Sequence, residues 1–141
     1  MAKIKIAEAG SLALDWLTAT ALGFEPEREG YWDSEQERSV TTKLHYQGAE
    51  MVDTTWSPTT KINQCREILV RSLIALHPPS LGRRAVVRGE WVASLGYHEP
   101  TGDYLHRATA NTPELAICRV FCLEHFGPTT EVDDELLEST K

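Results

Sequence analysis

ATANTPELAICRVFCLEHFG, residues 108–127, contains a helix start, an apolar body and a helix stop within twenty residues. Thr112 is placed to accept from the first turn as N-cap, and Pro113 suits the first helical position, where no backbone N–H is needed. Glu114 lies near the positive end of the helix dipole, Gly127 suits the left-handed closing position, and Pro128 prevents continuation. The stretch therefore predicts a terminal helix over about residues 112–127. Its body, LAICRVFC, is apolar enough to sit inside a core.

Working back along the chain, RRAVVRGEWVASLGY and DYLHRATA are β-type runs joined across HEPTG, whose proline and glycine are turn formers. They predict a hairpin in which Trp91, Ala93 and Leu95 share one face and Val92 and Ser94 the other. Before it, WSPTTKINQCREILVRSLIALHPPS has a helical period. Ser57 is a candidate cap, Pro58 fits the first helical position, and Ile62, Cys65, Leu69, Leu73 and Leu76 form a stripe opposite Asn63, Glu67 and Arg71. Pro78 and Pro79 end it. Nearer the start, GSLALDWLTATALGF predicts a helix over 11–22, stopped by Gly23, with apolar residues around much of its circumference. Such a helix belongs between other elements.

Residues 24–55 are polar and irregular and read as a long loop insertion, with one candidate short strand at SVTTKLHY. Residues 129–141 read as an acidic, flexible tail. The expected architecture is α+β, a small antiparallel sheet packed with about three helices, as one domain over 1–128.

The 141 residues are 41% hydrophobic and 25% charged, an ordinary balance for one globular domain that needs neither disulfides nor a structural metal to close its core. The opening MAKIKIAEAG lacks the apolar segment of a secretory signal, and no apolar run reaches the length of a membrane span. Three cysteines, Cys65, Cys118 and Cys122, are an odd number without CxxC spacing. The expectation is a reducing cytoplasm, buried free thiols and no membrane partner.

The net charge of −7 argues against general affinity for a nucleic-acid backbone, and direct nucleic-acid binding is not expected. The charge is uneven. Residues 57–110 hold seven bases against four acids, whereas the segments on either side are acidic. Within that basic middle, Arg83, Arg84 and Arg88 cluster, and Arg107 lies in a strand that can pair beside them.

The wording and order of these segments resemble the phage ABA sandwich domain family of small bacteriophage proteins. The matching pieces are Leu14-Asp15 with Gly23, Trp56-Ser57 with Thr59 or Thr60, Trp91, and ATANTPELAICR from Ala108 to Arg119. Pro58, within the serine–threonine step, departs from that pattern. The resemblance implies an ABA sandwich-like fold and a phage protein acting in the host cell cytoplasm. It brings no catalytic residues with it.

The residues themselves show no catalytic signature. The five histidines form neither HExxH nor HxH, no nucleophile elbow is present, and LGRR and RGEW are not phosphate loops. Cys118, Cys122 and His125 fall on one side of the terminal helix with Glu114, a geometry that permits zinc. A structural zinc site usually draws on two elements, so thiols acting as small core hydrophobes are expected, with no metal and no cofactor. Trp16 and Trp91 are expected in the core, and Trp32 and Trp56, in or beside loops, at the surface.

Three functions fit these readings. The first, favoured with the phage context, is a non-catalytic counter-defence protein that sequesters a small anionic, nucleotide-derived immune signal using Arg83, Arg84, Arg88, Arg107, Trp56 and Trp32. The second is an acidic inhibitor of a host defence protein, acting through its surface and tail. The third is a small nucleotide hydrolase. A homo-oligomer with a ligand site between subunits is compatible with the first.

Overall fold

The computed structural model describes residues 2–45, 55–79 and 90–137. Along the chain run β1 (Ala2–Lys5), a 3-10 turn (Ile6–Glu8), α1 (Ser11–Leu22), β2 (Glu27–Asp33), β3 (Arg38–His45), α2 (Ile62–Arg71) and β4 (Ala75–His77). They are followed by β5 (Trp91–His98), β6 (Asp103–Ala110), α3 (Pro113–Phe126), β7 (Thr129–Val132) and a second 3-10 turn (Asp134–Leu136). The fold is α+β, and the strands divide into three small antiparallel sheets, β1–β7, β2–β3 and β4–β5–β6.

The terminal helix forms where its start and stop signals place it. Thr112 is extended and its side chain accepts the Leu115 N–H at 3.3 Å, while Gly127, at φ 84°, returns its N–H to the Leu123 carbonyl at 2.9 Å. A side chain at Gly127 would be strained there. α3 separates two apolar clusters. Ala116, Ile117, Cys118 and Val120 pack with Cys65 and Ile68 of α2 and with Ala93, Leu95, Ala108 and Ala110 of the hairpin. Cys122 belongs to the other cluster, with Leu14, Leu17, Ile6, Trp56, Val132 and Leu136. α1 is likewise buried around much of its circumference, through Ala13, Leu14, Asp15, Leu17, Thr18 and Ala19.

The β5–β6 hairpin forms as expected, pairing Ala93 with Ala108 and Leu95 with His106, and β4 adds to the other side of β5 through Leu76 opposite Ala93. That third strand is a correction to the second helix. α2 ends at Arg71, Ser72 closes it, and Leu73 turns with φ 52° so that Ala75–His77 runs as a strand. The helix also starts later than Ser57 suggests: the Thr60 and Lys61 N–H groups bond the Ser57 carbonyl in a turn, and regular helix begins at Ile62. With both ends moved, the buried face is Cys65 and Ile68. Ile62 and Leu73 of the expected stripe are exposed.

Two further segments differ from expectation. Residues 27–45, read as loop apart from one candidate strand, form the β2–β3 hairpin, bulged between Glu29 and Gly30. Gly30 is required by contact rather than by φ, since a Cβ there would lie 1.9 Å from the Val40 carbonyl oxygen. The ribbon reads as polar because few of its residues are buried, chiefly Val40, Thr41 and Leu44. The stretch from Thr129 to Leu137 is also ordered. β7 pairs with β1 from Ala2 opposite Val132 to Lys5 opposite Thr129, and Val132 and Leu136 are buried. Arg28 then clasps the acidic segment, bonding Asp133 at 2.7 Å and also Glu135, with its guanidinium 4.1 Å from the centre of the Trp16 ring. Two buried apolar side chains and one shared cation hold down a segment whose composition alone reads as tail.

Candidate functional site

The motif residues meet in the interior. Asp15 in α1 is 3% exposed, and its carboxylate accepts the Thr59 N–H at 3.0 Å and the Ser57 hydroxyl at 3.1 Å. Its backbone carbonyl accepts the Trp56 indole N–H at 2.8 Å. Trp56 stands edge-on to Phe24, with centroids 4.8 Å apart. Gln64 completes the turn, accepting the Ser57 N–H at 2.7 Å and donating to the Thr55 carbonyl at 2.9 Å. Leu14-Asp15 and Trp56-Ser57-x-Thr59 are thus two halves of one lock between α1 and the entry to α2. Pro58 is accommodated in the turn, where its missing N–H costs nothing.

Arg119, which closes the ATANTPELAICR motif, has a structural task as well. Its guanidinium donates to the Thr109 carbonyl at 2.8 Å and the Ala9 carbonyl at 3.0 Å, joining α3 to β6 and to the approach to α1. Burial lowers its pKa from the ordinary arginine value, and Glu90 and Glu8 oppose that shift.

Cys65, Cys118 and Cys122 are buried free thiols. His125 is exposed and lies edge-on to Phe126, apart from that interior. Among the described residues, no group of three or more His, Cys, Asp or Glu side chains is placed to hold a metal ion. The Cys118 thiol, hydrogen-bonded to Cys65 and buried, is raised well above its ordinary value, and burial pushes Cys122 up to about 12 against the opposing effect of the Thr18 hydroxyl. The folded chain therefore keeps protons that the unfolded chain releases above about pH 9, so stability is unaffected below that pH and falls as pH rises toward 12. Urea unfolding at pH 8 and pH 10 is expected to show this fall, at most about 1.4 kcal/mol per pH unit for each thiol. Cys122→Ser is expected to flatten it, and an equally steep fall in that variant would remove Cys122 as its cause.

Clefts border the solvent-facing side of α2 and its C-terminal end. Asn63, Arg66, Glu67, Val70 and Arg71 line a cleft of about 590 Å³. A narrower one of about 210 Å³ runs from Arg71 past Asn63 and Gln64 to Trp56 and Leu22. A third, about 680 Å³, lies between the end of α2, β5 and the last turns of α3, again including Arg71. Arg71 is common to all three. Neither Arg66 nor Arg71 has a hydrogen bond or ion pair among the described residues, and both are exposed.

The residues expected to bind a ligand are distributed differently. Arg83, Arg84 and Arg88 lie outside the described residues. Arg107 is exposed on β6 and pairs with Asp103 of the same strand at 3.5 Å. Trp32 is exposed on β2, in another sheet. Trp56, expected at the surface, is 5% exposed because its N–H is drawn in to Asp15 and its ring to Phe24, although it still borders the narrow cleft. Trp32 and Arg107 lie in different sheets, and Trp56 lies in the interior. Arg71 was legible on the polar face of α2 and Arg66 was not singled out, and nothing in the sequence marks either as lining a cleft.

A family model described as bacteriophage P22 NinX matches residues 5–125. The chain belongs to the bacteriophage P22 NinX family. The match takes in α1, the turn at 56–60, the β5–β6 hairpin and nearly all of α3, and so contains every motif residue of the interior lock. It ends before β7 and the acidic segment held by Arg28. No curated protein matches the chain. Among the described residues, no helix is long and apolar enough to cross a membrane.

Proposed function

We propose that this phage protein is a non-catalytic counter-defence factor that binds and sequesters a small anionic, nucleotide-derived signal in the host cytoplasm. The observation that supports this reading is Arg66 and Arg71, two exposed guanidiniums with no ion pair among the described residues, lining one cleft on a chain of net charge −7. Two cations in one cleft of an acidic protein favour an anionic occupant, and guanidinium matches phosphate oxygens in two-pronged geometry. Glu67 in the same cleft limits the charge density and favours a small ligand over a polyanion. The basic middle of the chain agrees with this. An inhibitor acting through a free acidic tail has less support, because Asp133 and Glu135 are committed to Arg28.

The test is to incubate the purified protein with extract from infected, defence-competent cells, wash it, release bound material by heat and identify it by mass spectrometry. An intact nucleotide-like anion is expected. Its affinity is expected to fall by at least tenfold in Arg71→Ala, on the scale of about 1.5–3 kcal/mol for a hydrogen bond to a charged group. A chemically converted product would make the protein an enzyme, and an empty eluate would overturn the reading in favour of a protein partner.

A further inference from the structure

Arg71 lines the anion cleft and also the larger cleft of about 680 Å³ beside it, whose other walls are chemically different. Tyr97, Phe121 and His125 bring three rings to that second cleft, Leu95 an apolar floor, and Glu124 a carboxylate. Resting on the anion-site reading above, we infer that this second cleft takes a planar ring bearing N–H donors, so that the ligand is a nucleotide lying across Arg71 with phosphate toward Arg66 and base toward Tyr97.

Three observations carry the assignment. Tyr97 is 60% exposed, yet it is steadied edge-to-face by Tyr104 across the hairpin, with centroids 5.3 Å apart. A stacking surface steadied in this way loses little freedom when a base settles on it. Glu124 repels a second phosphate here, whereas it accepts hydrogen bonds from the amino or ring N–H groups of a base, the same pairing by which carboxylates read base edges elsewhere. Leu73 is held at the rim with φ 52° and is 83% exposed. This is the close of α2, where the Ile74 N–H returns to the Leu69 carbonyl at 3.1 Å, and it sets Leu73 as an apolar edge of the cleft. Both clefts also have volumes ordinary for small-molecule sites.

Calorimetric titration with GMP, guanosine and pyrophosphate separates the possibilities. GMP is expected to bind more tightly than either fragment. Tyr97→Ala is expected to weaken GMP at least tenfold while leaving pyrophosphate unchanged, and Glu124→Gln to weaken GMP but not pyrophosphate. Both side chains are at the surface, and thermal melts check that each variant folds. Equal affinity for GMP and pyrophosphate, unaffected by either substitution, would overturn the ring assignment and leave the anion reading standing. Equal affinity for GMP and guanosine, unaffected by Arg71→Ala, would overturn the anion reading instead. No binding of any of the three would overturn both.

Discussion

Asp15→Ala is expected to cost about 3–5 kcal/mol of folding stability, a large share of the roughly 5–15 kcal/mol that holds a domain of this size. The carboxylate accepts from the Thr59 N–H and the Ser57 hydroxyl, and alanine leaves that N–H buried without its acceptor. An unmet buried donor costs more than the bond contributed while intact. Asp15→Asn is expected to lose about half as much, because its amide oxygen still reaches the Thr59 N–H while its amino group meets the Ser57 hydroxyl. Urea denaturation of the two variants beside the parent chain measures this. A loss below about 1 kcal/mol in Asp15→Ala would mean that the turn is held by Gln64 and the Ser57–Thr60 contact alone.

Trp56→Ala is the second large effect, about 3–5 kcal/mol from the buried indole and its cavity. Trp56→Phe keeps much of the area and an aromatic edge toward Phe24 but removes the donor to the Asp15 carbonyl, and is expected to cost about 1–2 kcal/mol. Since Trp56 and Asp15 grip the same turn, Asp15→Ala and Trp56→Ala together should cost less than the sum of the two, by about 1 kcal/mol or more. Strict additivity in the double-mutant cycle would show two independent contacts rather than one lock. A surface-exposed ligand residue would show none of this, so the same measurements test the move of Trp56 from the expected surface to the interior.

These residues also explain why the family motif carries no visible chemistry. Asp15, Trp56, Ser57, Thr59, Thr112 and Arg119 each satisfy backbone groups or bury side chains where elements meet. They are the parts of the fold that cannot be replaced by generic apolar residues, which makes them conspicuous. The candidate ligand residues are of the opposite kind. Arg66, Arg71 and Tyr97 occupy ordinary exposed positions; Arg66 and Arg71 follow one face of α2, and the packing of α2 with α3 and the β5–β6 hairpin brings Arg71 and Tyr97 to one cleft.

α1, α3 and the β5–β6 hairpin were readable because their signals are local. A cap, a proline at the first turn, a glycine at the stop and a period of two or 3.6 act within a few residues of where they are written. The end of α2, the β2–β3 ribbon and β7 were decided by partners distant in sequence. Leu76 leaves the helical stripe to pair beside Ala93, and the edge of β7 is supplied by β1 at the other end of the chain. Arg28 reaches across more than a hundred residues to the acidic segment. By itself the sequence determined the class of fold, its central helix and the burial of its thiols, all matters of short-range pattern and apolar content. Tertiary structure decided that Arg71 and Tyr97 share a cleft, that Trp56 is buried and that Asp133 and Glu135 meet Arg28, because those depend on which distant surfaces meet.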